Sequence, residues 1–170
     1  MTTFTSFLIF CQVIGAFAGA CTAIWGEFAY IRAMRDGEID AAERAHLRII
    51  AKGLRFGMLT ILLSSFGLVV TAFLTQTYPQ PALSPEYWTV VALALLITGI
   101  SWALSHKHVS FAFGSAIIFT GWWFLAYLTM GWLSPLSFGG AVALYVVATG
   151  IFYAVLQYVR FLVLDSGQKD

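Results

Sequence analysis

The chain has 170 residues, 60% of them hydrophobic and only 10% charged, with a formal net charge of +1. An ordinary soluble domain carries roughly 25% charged residues, so this composition cannot clothe a water-soluble surface, and the near-zero net charge gives no electrostatic footprint for a nucleic-acid partner. Uncharged apolar runs of about 20 residues, enough to cross the hydrocarbon of a bilayer, recur throughout, and the expectation is an all-α polytopic membrane helix bundle forming a single integral membrane domain over residues 1–170.

The opening Met1-Thr2-Thr3-Phe4-Thr5-Ser6 has no Lys or Arg. A cleaved signal peptide needs a basic start, so the first apolar run, about 7–31, reads as a retained span. Cys11 and Cys21 fall inside it, about 15 Å apart along a helix and too far apart to bond to each other. One face of this span carries Gln12, Gly15, Gly19, Ala23, Glu27 and Tyr30 at i+3 and i+4 spacing. Small residues on that line let a neighbouring helix approach closely, which makes the face a packing seam or the wall of a path. Glu27 is the acid embedded in an apolar stretch away from helix ends and loops. An intramembrane carboxylate marks a proton, ion or ligand route, or else it pairs with Arg32 or with Arg55. In the route reading Glu27 exchanges a proton or contacts substrate, Gln12 hydrogen-bonds within the path, and Trp25 and Tyr30 border its cytoplasmic mouth.

After this span, Asp40-Ala41-Ala42-Glu43 has the form of a capping box. It predicts a helix over about 41–55 that projects into the cytoplasm and runs on into a second span, about 56–75. Arg44, Arg48, Lys52 and Arg55 lie four, four and three residues apart along it, a basic stripe that anionic lipid headgroups attract by about 1 kcal/mol per residue. Glu43-x-x-His46 sets a carboxylate and an imidazole one turn apart, half of a di-metal carboxylate motif. With His106 and His108 they form a candidate metal or haem site, against the plainer reading of solvated histidines at the membrane rim. In span two, Gly53, Gly57, Thr60, Ser64, Gly67, Thr71 and Thr75 fall on one stripe. Thr60 and Ser64 there either line the same path as Glu27 or bond carbonyls of their own helix.

Residues 75–85 hold three of the four prolines and no basic residue, so they form a loop. Ser84-Pro85-Glu86 caps a third span, about 87–105, whose polar stripe is Ala94, Thr98, Ser101, Ser105 and His108; Ser134-Pro135 does the same for a fifth, about 136–164. The fourth span, about 109–132, contains Trp122-Trp123. Consecutive indoles on a helix point about 100° apart, so one faces outward while the other enters the bundle and needs a partner for its N–H. Trp25, Trp88, Trp102 and Trp132 fall near span ends, as an aromatic belt requires.

With five spans all nine Lys and Arg residues fall on one side. The positive-inside rule then places the N-terminus outside and the C-terminus in the cytoplasm, in a bacterial inner membrane. No Gly-rich phosphate loop, His-Glu-x-x-His or Cys-x-x-Cys is present, no cofactor is required, and the balance leans away from an enzyme, an intramembrane enzyme without a recognisable motif being the remaining reading. The leading expectation is a small transport or permeation protein, proton-coupled through Glu27. Beside it stand a non-catalytic subunit or assembly factor of a larger membrane complex, with other membrane subunits or a second copy as partner, and a metal- or haem-binding redox protein.

Overall fold

The computed structural model describes residues 3–36, 41–76, 80–133 and 136–167, with side chains for all of these except 33–36, 41–44, 46, 47 and 164–167. They form α1 (Thr3–Asp36), α2 (Ala41–Leu74), α3 (Pro85–Ser105), α4 (Phe111–Thr129) and α5 (Phe138–Gly167), with a 3-10 turn over Pro81–Leu83 before α3. All five helices are long and apolar enough to cross a membrane. α1 extends beyond its expected apolar run at both ends, α5 starts and finishes slightly later than expected, and α4 is shorter at both ends. α2 runs unbroken from Ala41 to Leu74, so the basic extension and the second apolar run are one helix. Asp40, the expected cap, and Ser134-Pro135 lie outside the described residues.

The helix ends follow local chemistry. Pro85 occupies the first turn of α3, where its missing N–H is no loss, and Ser84 Oγ accepts from Tyr87 N at 3.2 Å. At α5 the capping hydroxyl is Ser137, which accepts from Gly140 N at 3.1 Å. α3 and α4 end alike. His108 N donates to Ala103 O and Lys107 N to Leu104 O, while Trp132 N donates to Tyr127 O and Gly131 N to Leu128 O. Each is a Schellman closure, whose C′ residue is left-handed; Gly131 takes that conformation at φ 70°, and Lys107 adopts it at φ 59°.

Packing fixes the directions of the helices. Along α1 and α2, Leu8 faces Gly67, Gln12 meets Ser65, Gly15 faces Gly57, Thr22 faces Gly53, and Gly26 faces Ile50. Numbers rise on one helix as they fall on the other, so the pair is antiparallel. The same reasoning holds for α4 against α1 (Trp122 on Gly19, Phe111 on Tyr30), α3 (Ile97 by Gly121, Leu104 by Gly114) and α5 (Phe124 by Tyr145, Phe113 by Tyr153). It follows that α1, α3 and α5 run parallel to one another. α4 lies between them and is the most buried helix, and α5 is the least.

Trp122 locks the centre. It is 1% exposed, and its ring occupies space that a Cβ on Gly19 or Gly57 would enter: from Gly19 the ring carbons would lie 2.0 Å away. Trp123 is only partly buried, so the two indoles divide between interior and exterior as their angular offset demands. The Trp122 N–H has no hydrogen-bond partner among the described residues; the glycines meet the carbons of its six-membered ring. Around it Ala16, Ala20, Ile61, Ala94 and Leu125 are fully or nearly fully buried, while Phe10, Phe28, Phe56, Leu63, Phe66 and Phe161 are more than half exposed.

Gly19→Ala therefore overpacks the core, with an expected loss of about 1–3 kcal/mol, read as a lower unfolding temperature in detergent. Gly150→Ala meets nothing within 4 Å and leaves that temperature unchanged or slightly raised. Equal effects from the two substitutions would contradict this packing.

Candidate functional site

Where α1 and α5 finish and α4 begins, Glu27, Tyr30, Phe111, Ser115 and Arg160 come together. Glu27 and Arg160 are each 8% exposed and are the charged side chains buried among the described residues. Arg160 Nη2 donates to Glu27 Oε2 at 2.6 Å and to Ser115 Oγ at 2.7 Å. Ser115 Oγ in turn donates to Ala112 O at 3.3 Å, so the hydroxyl is used both ways. Tyr30 and Phe111 stack with ring centroids 3.8 Å apart, and the guanidinium carbon lies 5.1 Å from the Tyr30 centroid and 5.8 Å from that of Phe111. Both distances are within cation–π range.

The energetics of such a pair cut both ways. A short charge-assisted bond is roughly twice as strong as a neutral one, and a low dielectric strengthens the attraction. Taking both ions out of water costs several kcal/mol each, and the attraction offsets this only when the remaining donors and acceptors are satisfied. Here they are not. Arg160 Nε and Nη1 are buried without a hydrogen-bond partner among the described residues.

Other positions singled out in the sequence lie elsewhere. Gln12 Nε2 donates to Ser65 Oγ at 2.9 Å, about 22 Å from Glu27 along α1 at 1.5 Å per residue. Between them Gly15, Gly19 and the Trp122 ring fill the seam. Thr60 donates to Phe56 O at 2.9 Å, and Ser64 to Thr60 O at 2.6 Å and Ile61 O at 3.0 Å; both hydroxyls are bonded to their own helix. On α3, Thr98 and Ser101 bond Ala94 O and Ile97 O in the same way. Trp25 is exposed. The α1 face thus splits into a packed seam around Gly19 and a polar cluster at Glu27.

His106 and His108 are exposed at the α3–α4 turn, with rings 6.1 Å apart and beside Trp102. The side chains of Glu43, Arg44 and His46 lie outside the described residues, and no group of three His, Cys, Asp or Glu among those described could hold a metal ion. Arg48, Lys52 and Arg55 are exposed along α2, as a stripe on the helix surface should be. Two clefts of about 230 and 200 Å³ open elsewhere, the first lined by Glu86, Leu128 and Leu136, the second by Leu93, Phe124 and Val142. Neither is lined by Glu27 or Arg160.

The partner of Glu27 is therefore Arg160, 133 positions away in the chain, and neither Arg32 nor Arg55, both of which are exposed. By sequence Arg160 groups with the basic residues that set orientation. The signal against that grouping is the run Phe161-Leu162-Val163-Leu164 that follows it, which carries the apolar segment a full turn beyond the arginine. Ser115 and Phe111 carry no sequence signal of their own.

No protein-family model, curated protein or solved structure matches this chain. Whatever function is assigned has to come from the geometry.

If the pair is one electrostatic unit, removing either member is worse than removing both. Glu27→Leu strands the Arg160 charge and is expected to cost about 3–5 kcal/mol. Adding Arg160→Met to it recovers part of that loss, giving a coupling energy of about 1–3 kcal/mol in a double-mutant cycle of unfolding free energies. Additive losses would mean the two side chains do not interact.

Proposed function

We propose that this chain is a small transport or permeation protein of a bacterial inner membrane, N-terminus outside and C-terminus in the cytoplasm, with Glu27 as its proton-exchanging group. The membrane setting is supported by the broad apolar faces of Phe10, Phe28, Leu63, Phe66 and Phe161, which in water would form association-prone patches. The orientation is supported by the helix directions. With α1, α3 and α5 parallel and α2 and α4 reversed, the basic residues of α2, Lys107 of the α3–α4 turn and Arg160 all gather at one end, the end the positive-inside rule assigns to the cytoplasm.

The observation that carries the functional reading is the Glu27–Arg160 pair itself, a charged contact within two membrane-length helices. Such groups are expensive in hydrocarbon and are kept for function by default. α1 packs closely on α2 and α4 but only sparsely on α5, so the ion pair is a large part of what joins α1 to α5. A proton arriving on Glu27 cancels the attraction and loosens that joint. A two-state element biased by one proton is what coupled movement of a solute needs.

A subunit role in a larger complex draws support from α5, whose outward face is the most open of the five. Native mass spectrometry separates the two readings. A particle containing this chain alone favours transport, and stable co-purification with other subunits favours assembly.

Two measurements test the proposal. With Cys11 and Cys21 replaced by Ser, a cysteine at Gln76 is expected to react with an impermeant thiol reagent in intact cells, and one at Ser110 only after the cells are opened; the reverse pattern overturns the orientation. In proteoliposomes with an entrapped pH dye, the protein is expected to dissipate an imposed pH gradient faster than empty vesicles, with Glu27→Gln slower by about tenfold or more, equivalent to ~1.4 kcal/mol on the barrier. Equal rates for wild type and Glu27→Gln contradict it.

A further inference from the structure

Among the described residues, Arg160 is held through one of its three nitrogens. Nη2 serves both Glu27 and Ser115, while Nε and Nη1, which between them carry three N–H groups, are buried without a partner among the described residues. A buried donor left unpaired costs about 1–3 kcal/mol, and a guanidinium recognises oxyanions such as carboxylate and phosphate better than any other side chain does. The stacked pair of Tyr30 and Phe111 lies against the guanidinium, and the N–H groups of Nε and Nη1 are the donors left to answer an incoming group.

Charge balance says more than the donor count. Glu27 and Arg160 together are neutral. An anion added to Arg160 leaves one uncompensated negative charge in an enclosed site, which is strongly disfavoured away from water. α4 brings no ionisable side chain to this end, only Ser115. The basic side chains on the neighbouring elements, Arg32 of α1, Arg48, Lys52 and Arg55 of α2, and His106, Lys107 and His108 of the turn before α4, are exposed, and Tyr30 presents its ring to the guanidinium. Among the described residues Glu27 is then the group at the site that can restore neutrality, by taking a proton from the aqueous phase on its carboxylate.

We infer that Arg160 binds a monoanionic oxyanion, a carboxylate, sulfonate or phosphodiester, and that each anion enters together with one proton on Glu27. Anion binding replaces the Glu27 carboxylate with the ligand's oxygens as the charge that answers Arg160, while Glu27, now neutral, keeps a weaker hydrogen bond. The inference rests on the reading of Glu27 as the exchanging group and adds what travels or docks with the proton. The same chemistry serves a free small anion and an anionic lipid headgroup.

The test uses the full-length protein and methanesulfonate, which remains a monoanion at every pH the fold tolerates. By isothermal calorimetry in detergent, wild type is expected to bind it with an apparent Kd that rises about tenfold per pH unit once Glu27 is ionised in the free protein, the slope for one linked proton. Glu27→Gln, a permanent stand-in for the protonated acid, is expected to bind with no pH dependence. Arg160→Lys, which keeps the charge and loses the fork, is expected to bind about tenfold or more weakly, with unchanged elution and circular dichroism as the control for folding. In nanodiscs, if the anion is a lipid, phosphatidylglycerol raises the unfolding temperature of wild type over phosphatidylcholine alone and displaces methanesulfonate; a free-anion site shows methanesulfonate binding in both. A flat pH profile in wild type, undiminished binding in Arg160→Lys, or no response to either methanesulfonate or phosphatidylglycerol overturns the inference. Binding that passes these tests in a protein that moves no protons across vesicles overturns the transport reading and leaves the anion site standing.

Discussion

Two opposite charges buried among apolar helices are the constraint on which the functional reading depends. Neither Glu27 nor Arg160 is tolerable there alone, because an isolated ion in a low dielectric costs far more than a folded chain has to spare. The pair therefore fixes the relative depth of α1 and α5, helices that otherwise touch little, and recruits Ser115 from α4 as the second acceptor. Three helices meet at one guanidinium. That makes the junction specific, and under the proposal above it is also the point at which a proton or a competing anion would act.

The remainder of α1 is fixed by shape. Gly15, Gly19 and Gly57 let α1 and α2 approach closely and leave a slot that the Trp122 ring fills. Buried ring area and dispersion contacts outweigh the unpartnered indole N–H, whose loss is of the order of 1–3 kcal/mol. One end of α1 is rigid and held by packing, and the other is held by charge. The two halves of α1 are thus held by different physics, shape around Gly19 and charge at Glu27.

Much of the helical architecture was legible in the sequence, because solvent acts on every residue of a span at once. Apolar run length, proline placement at Pro85 and the unbroken helical pattern after Ala41 located the five helices to within a few residues. Both ends of α1 and the C-terminal end of α5 lie beyond the apolar runs, because polar ends continue the hydrogen-bond ladder without continuing the apolar run. Glu27 was legible as unusual, since an acid inside an apolar run is conspicuous. Its partner was not. An arginine near the end of a span looks the same whether it turns inward to an acid or outward to headgroups, and only the tertiary arrangement distinguishes them. Likewise Thr60 and Ser64 share a stripe with Gly57, but a serine or threonine in a helix can bond the carbonyl one turn back, and spacing alone does not say that it will.

The contact between Glu27 and Arg160 can be observed directly in lipid. Rotational-echo double-resonance NMR on protein labelled with ¹³C at glutamate carboxyls and ¹⁵N at arginine guanidinium groups reads close carboxyl–guanidinium pairs. A dephasing signal in wild type that is lost in Glu27→Gln is the predicted result. Spectra indistinguishable between the two would show that the carboxylate and the guanidinium do not meet, and the account built on their pairing would fall.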